Sequence, residues 1–528
     1  MIQTLERRIG RMCFVGFEGL TAPDYLLEWI RAGRVGGVIL FARNVASPQQ
    51  VADLTAALNE AAGPEGIIVS IDQEGGTVTR MHAAEGFTEV PGAMALAATA
   101  SAVGDDGERH AERMAAVLAD ELRAVGISWD YAPVVDLFYN SGNPSLGTRS
   151  FGSDPDRVGR LAAAVVRGLQ SRGVAACAKH FPGLGSSTLD THIDLPVDER
   201  SLEWLLANDL EPYRQVIGAG IASIMVTHTI IAAIDPALPA TLSPLVVRQL
   251  LRERLGFDGV VSTDCMEMGA ITEHFGAGDS AVLAALGSID AILFSHTVAR
   301  QEAAYEALLA AARSGELPEE TIDAANRRLA AFQTRYVQPP TSLDVIRSAE
   351  NRAAALEAAR AGVVLVKGEA GAAEGAPLTF ARGTDGRGIG VVEFASALDS
   401  GIVEAGGLTG FGRGLRAHLP GAEVMVWQEK THEAALALAD RCETLIVATR
   451  SAHLSPQRTE AARGLLRASG HPVLAALRGP FDARLFIEDA EVVLCSLGDA
   501  EPQIEAAAEA LAGVYAPSGR LPVEERSL

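Results

Sequence analysis

Residues 174–196 read VAACAKHFPGLGSSTLDTHIDLP. The first five form an uncharged run, and Lys179 and His180 follow at once. Pro182, Gly183 and Gly185 then fall within a few positions, where no helix can form. The stretch therefore reads as a buried strand ending near Ala178 that delivers the chain into a polar loop. A buried strand with reactive residues just past its carboxyl end is the repeating unit of a parallel α/β barrel.

Seven more such runs lie in the first 300 residues, at 12–15, 37–41, 67–71, 127–132, 223–227, 259–262 and 291–294. Stretches with helical apolar spacing separate them. Eight continuous apolar strands alternating with helices predict a (β/α)8 TIM barrel, a fold that takes about 250 residues plus insertions. A polar or charged residue stands at or just past the end of many runs: Arg43, Asp72, Asp136, His180, His228, Asp264 and His296. Strand ends are where polar residues begin in any case, but three His and three Asp among seven favour a shared site.

The barrel reading covers 1–335. Residues 336–345 begin YVQPPTS and read as a linker. Beyond them, from 346 to 528, an Ala-rich helix leads into apolar runs at 363–367, 389–394, 423–427, 445–449, 473–477 and 492–496. This predicts an α/β/α sandwich domain. It has no Gly-rich phosphate loop between a strand and a helix. Its histidines, His432, His453 and His471, show no paired arrangement in the sequence.

Composition narrows the function classes. Of 528 residues, 44 are Lys or Arg and 67 Asp or Glu, a net charge of −23. That balance disfavours nucleic acid and anionic membrane as partners, because both need clustered cations. No run reaches the roughly 20 apolar residues of a membrane helix. The five cysteines, Cys13, Cys177, Cys265, Cys442 and Cys495, are widely spaced and form no disulfide framework or CxxC motif. The first residues, MIQTLERRIGRMCFVGFEG, show no signal-peptide core and no lipidation motif. The expectation is a cytoplasmic protein in a reducing compartment, either monomeric or oligomeric.

Three segments carry chemistry. Asp190 and His192 are two residues apart in the loop, so they can face the same way. The carboxylate would then fix the imidazole's tautomer and favour its protonated form, leaving the other nitrogen to move a proton. The same pair could instead cap a turn. Asp264, directly after the run at 259–262, could attack an electrophilic carbon, bind a metal or act as a base, or it could cap the next helix. Asp72 ends another run, Gly75-Gly76 turns the chain, and Arg80 follows. A carboxylate and a guanidinium at a barrel rim can hold sugar hydroxyls, or form a rim ion pair and nothing more.

Together these segments resemble a known family. Asp72-Gln-Glu-Gly-Gly with Arg80, Asn143-Pro with Arg149-Ser-Phe, Lys179-His-Phe-Pro-Gly, Asp190-Thr-His192 and Ser262-Thr-Asp264 occur in the order found in glycoside hydrolase family 3. The match is to its β-N-acetylglucosaminidase branch, and Pro517-Ser-Gly-Arg-Leu-Pro522 looks like that family's usual ending. The resemblance implies a retaining mechanism without cofactor or metal. Asp264 would be the nucleophile and His192, oriented by Asp190, the acid/base. Asp72, Arg80, Arg149, Lys179 and His180 would bind the sugar. The substrate would be a small carbohydrate or muropeptide, with terminal GlcNAc removed in cell-wall recycling. Leu184, Thr77 and Cys265 depart from the family's frequent His, Arg, and Asp or Ser.

Two other classes compete. His180, His192, His228 and Asp264 could hold zinc in an amidohydrolase-like barrel. That reading expects an H-x-H pair on the first strand, and MCFVGF has none. A silent sugar-binding protein would have lost its nucleophile, whereas Asp264 is present.

Overall fold

The computed structural model describes residues 4–99, 106–141, 143, 145–184, 195–368, 385–394 and 410–523. Among the described residues, eight parallel strands build the barrel of the first half: β1 (Cys13–Val15), β2 (Gly37–Leu40), β3 (Ile68–Ile71), β4 (Trp129–Asp130), β5 (Ala175–Phe181), β6 (Ser223–Val226), β7 (Val260–Thr263) and β8 (Ile292–Phe294). They run in the order β8-β1-β2-β3-β4-β5-β6-β7. A parallel bridge from Ser262 to Ala291 joins β7 to β8 and closes the cylinder. The expected TIM barrel is present. These strands lack alternation because helices cover one face and the barrel core fills the other, so their residues are buried throughout.

The barrel interior is packed rather than open. Trp129 is fully buried, with Phe14 edge-on at 5.5 Å, Tyr131 at 4.8 Å and Phe332 at 4.9 Å. Phe332 comes from the helix Glu319–Tyr336. The Trp129 indole N–H, which would otherwise be a buried unpaired donor, donates to Ser223 Oγ at 2.7 Å.

Two strands differ most from the sequence reading, and one of them matters for function. The strand expected to end at Ala178 continues to Phe181, so Lys179 and His180 belong to β5 and not to the loop. Backbone pairing resumes at Phe181 with Val226 after a register shift, and Lys179 bridges to Val134. The Pro-Gly punctuation stops the strand only after both site residues. Conversely, the run at 127–132 pairs as a strand only over Trp129–Asp130. Pro133, next along, has no N–H to offer a ladder.

The second half is an α/β/α sandwich. Its strands are β9 (Val364–Lys367), β10 (Ile389–Phe394), β11 (Glu423–Trp427), β12 (Thr444–Thr449), β13 (His471–Ala476) and β14 (Val492–Cys495). The order is β9-β14-β13-β12-β10-β11, with β9 antiparallel to its neighbour. Helices Ala349–Gly362, Phe411–His418 and Glu501–Leu511 pack on one face. His432–Arg441 and Pro456–Ala468 pack on the other. The two halves meet closely: Glu89 of the barrel accepts the Glu501 backbone N–H at 2.7 Å, and Arg520 N donates to Ala98 O at 2.9 Å. Among the described residues no helix is long and apolar enough to cross a membrane.

Candidate active site

The carboxyl ends of the barrel strands surround a cavity of about 270 Å³. Asp72, Arg80, Arg149, Lys179, His180 and Asp264 all line it. Asp190 and His192 lie outside the described residues. The segment that carries them leaves from Leu184, which is itself part of the cavity wall. Of the seven residues noted at strand ends, Arg43 and His296 also reach the cavity, while Asp136 and His228 do not.

The floor is a compact charge network. Lys179, on β5, places its ammonium 2.6 Å from Asp72 Oδ1 and 2.6 Å from Glu74 Oε1. Glu74 also receives both arms of the Arg149 guanidinium, Nε to Oε2 at 2.9 Å and Nη2 to Oε1 at 2.7 Å. This is the bidentate geometry that a planar fork makes with a carboxylate. Arg80 Nη2 approaches Asp72 Oδ2 at 3.8 Å. Sequence reading singled out four of these five residues and missed Glu74. The signal was present, since Glu74 stands within the quoted Asp-Gln-Glu-Gly-Gly, but only folding brings Arg149 to it from 75 residues away.

Gln73 sets the spacing of Asp72 and Arg80. Its backbone N–H donates to buried Asp130 at 2.9 Å. Its side-chain oxygen accepts the N–H groups of Arg80 and Met81 at 2.8 and 3.1 Å. Between them the chain reverses through Gly75 and Gly76, at φ +83° and +60°. A Cβ at Gly76 would sit 2.7 Å from Gly92 Cα, so the turn needs glycine for space as well as for conformation.

Burial pushes the Glu74 carboxyl up, but Arg149 and Lys179 outweigh it and hold the group well below the ordinary carboxylate range. Burial likewise works against the Lys179 ammonium, and Asp72 and Glu74 more than offset it. Both groups stay ionised at neutral pH. Because the Glu74 proton is released more readily folded than unfolded, its stabilisation is present above about pH 4.5 and lost as pH falls through the depressed value. The wild-type denaturant midpoint is therefore expected to drop more between pH 5 and pH 3 than that of Glu74→Gln. Parallel curves for the two would contradict the network.

His180 is buried and its Nδ1 lies 2.7 Å from Asp136 Oδ2. The same oxygen accepts the His180 backbone N–H at 3.1 Å, and the other accepts the Leu184 N–H at 2.7 Å. Asp136 thus fixes the imidazole as the Nδ1–H tautomer and holds Leu184 in place at the cavity wall. The Asp136 carboxylate is fully buried. Its role here was not legible from its position alone.

Asp264 follows β7. Its backbone N–H donates to Val226 O at 3.2 Å, and its Oδ1 accepts the Cys265 N–H at 2.7 Å. It caps no helix: the next helical turn, Gly269–Thr272, has Met268 at its N-cap. Of the residues considered for zinc, His228 is turned away, with Nδ1 on Thr241 Oγ1 at 2.8 Å and Nε2 on Cys265 O at 2.9 Å. Among the described residues no group of three or more His, Cys, Asp or Glu could hold a metal ion.

Residues 4–332 match the glycosyl hydrolase family 3 N terminal domain. The chain belongs to glycosyl hydrolase family 3. Its relatives include a β-hexosaminidase of Stenotrophomonas maltophilia (strain K279a), 40% identical over 267 residues, which span 51% of this chain and 77% of that protein. Among solved structures, a family 3 β-N-acetylglucosaminidase from Paenibacillus sp. str. FPU-7 superposes with TM-score 0.90 at 34% identity over 99% of both chains. A β-N-acetylhexosaminidase from Beutenbergia cavernae DSM 12333 is 31% identical, with TM-score 0.55 over 63% of this chain and 99% of its own. Within family 3 the chain falls with these β-N-acetylhexosaminidases and is a glycoside hydrolase of that kind. The expected resemblance holds, and it extends through both halves of the molecule.

Proposed function

We propose that this family 3 enzyme is an exo-acting, retaining β-N-acetylglucosaminidase with Asp264 as nucleophile and His192, oriented by Asp190, as acid/base. The observation that carries the reading is the shared cavity. Asp264 lines the same space as the Lys179–Asp72–Glu74–Arg149 network, and the chain leaves for Asp190 and His192 from its wall. Carboxylates and cations in alternation can bind the donors and acceptors of sugar hydroxyls with charge-assisted hydrogen bonds. Ligand pockets usually span about 300–1,000 Å³. A volume near the bottom of that range suits one terminal sugar better than the middle of a chain.

An Asp264 oxygen would attack the anomeric carbon as the glycosidic C–O bond breaks, with His192 giving its proton to the departing oxygen. The resulting glycosyl ester would then be opened by water. His192 would take a proton from that water, and Asp264 would be released as carboxylate. Asp72, Arg80, Arg149, Lys179 and His180 would hold the sugar through both steps. We propose peptidoglycan fragments ending in GlcNAc as the natural substrates, handled inside the cell.

Incubation with a 2-fluoro sugar that forms the ester but hydrolyses slowly is expected to label the peptide containing Asp264, as read by mass spectrometry. A label elsewhere rejects the nucleophile. His192→Ala is expected to slow substrates with poor leaving groups far more than activated aryl glycosides, because acid assistance matters most for a basic leaving oxygen. An equal loss on both rejects the acid role. Faster GlcNAc release from chitobiose than from a disaccharide–peptide would count against the muropeptide preference.

A further inference from the structure

Phe138 belongs to the barrel by sequence but not by packing. It follows Asp136 by two residues and is fully buried. Together with Met94, Ala95 and Ala98 it lies in the apolar cluster of the second domain. Its ring stacks on that of Phe481, with centroids 5.9 Å apart and planes 27° from parallel. Phe481 lies on the short helix Pro480–Leu485, which follows β13.

The loop that carries Phe138 is cross-linked to a second one. Phe138 N donates to Gly152 O at 2.8 Å, and Ser150 Oγ donates to Asp136 O at 2.7 Å. Residues 136–138 and 150–152 therefore behave as one unit. The second domain approaches this unit twice more. A Cβ added at Gly479 would lie 3.4 Å from Thr148 Cγ2, and one added at Gly152 would lie 2.4 Å from Pro522 O. From the same unit Asp136 reaches His180 at 2.7 Å, and Arg149, one residue before Ser150, clasps Glu74. Both sugar-site contacts thus hang on a loop pair that the second domain holds from outside the barrel.

We propose that Phe481 is a positioning residue for the sugar pocket: by stacking on Phe138 it holds the cross-linked pieces 136–138 and 148–152, and through them Asp136 against His180 and Arg149 against Glu74. The proposal rests on the reading of the cavity as a sugar site. It also gives the second domain a task in the reaction, although every described residue assigned to the chemistry sits on the barrel.

The test uses the full chain with an aryl β-N-acetylglucosaminide and, separately, GlcNAc binding by calorimetry, both well below the unfolding temperature. Phe481→Ala is expected to raise KM and the GlcNAc Kd about 5–10-fold with kcat changed by less than about 3-fold, the signature of lost sugar binding rather than lost chemistry. Phe481→Leu, which refills most of the apolar volume, is expected to return both constants to within about 2-fold of wild type. Leu415→Ala, in the cluster on the other face of the sheet, serves as a purely structural control. It is expected to lower Tm while leaving KM and Kd unmoved. An unchanged KM in Phe481→Ala, or an equal rise in Leu415→Ala, overturns the proposal while the sugar-site reading stands. Wild-type protein that neither binds GlcNAc nor turns over the glycoside overturns both.

Discussion

Asp264→Asn is expected to lower kcat/KM on an aryl β-N-acetylglucosaminide by at least about 10,000-fold, with the fold and Tm unchanged. Removing a nucleophile eliminates the step on which all others depend, and losses of that order are typical of such knockouts. The amide keeps the shape of the carboxylate, including an oxygen able to accept the Cys265 N–H now held at 2.7 Å. It cannot form the ester at a useful rate, because its oxygen carries no charge to donate to the anomeric carbon. Binding is expected to survive. The groups proposed to grip the sugar are tied to one another and to Gln73 and Asp136. Calorimetry with GlcNAc should therefore give a Kd near that of wild type beside an almost absent kcat. Retained turnover would reject the nucleophile assignment. Lost turnover together with lost binding would make Asp264 a structural member of the pocket.

Lys179→Met should do comparable damage by a different route. The ammonium is 2% exposed and bridges Asp72 and Glu74. Methionine fills the apolar part of the space and leaves both carboxylates without their shared cation. Breaking one side of a buried ion pair typically costs about 3–5 kcal/mol, because the partner stays buried and uncompensated. Denaturant unfolding at pH 7 should show a loss at the lower end of that range, because Glu74 keeps Arg149 and Asp72 keeps Arg80 nearby. The raised Lys179 pKa means that its contribution is fully present below the ordinary lysine value of about 10.4 and is lost only as pH rises through the still higher folded value. The gap between the two proteins should then persist across the neutral range. Catalysis should also fall about 100-fold, as expected when hydrogen bonds to charged groups worth about 1.5–3 kcal/mol are lost and Asp72 moves. Lys179→Arg should not rescue it, since a planar fork cannot take the place of a point charge held by two oxygens 2.6 Å away. Wild-type stability in Lys179→Met would show that the network stabilises nothing.

The network also explains how a chain of net charge −23 can present a pocket for a neutral sugar. The acidic excess lies elsewhere. Among the residues lining the pocket, Asp72, Glu74, Asp264 and Glu267 are matched in number by Arg43, Arg80, Arg149 and Lys179. Such a set offers directed donors and acceptors without a strong net field.

What could be read from the chain alone was whatever repeats locally. Runs rich in Val, Ile, Leu and Ala marked most strands of both sheets, because a strand buried on two faces is mainly apolar along its length. The place where each run ended put Asp72, His180 and Asp264 at one rim, because all strands of a parallel barrel point the same way. Ordered motifs then gave the family. Tertiary structure alone decided which charges meet. Glu74 found Arg149, and Asp136 found His180, across 75 and 44 residues of intervening chain. His453, which showed no partner in the sequence, pairs with Asp482 at 2.7 Å. Phe138 left the barrel's core to stack on a ring of the second domain. Periodicity records the side of an element that is buried, and it carries no label for the distant group that will lie against it. Only closure of the cylinder, and the seating of the sandwich against its loops, supplied those partners.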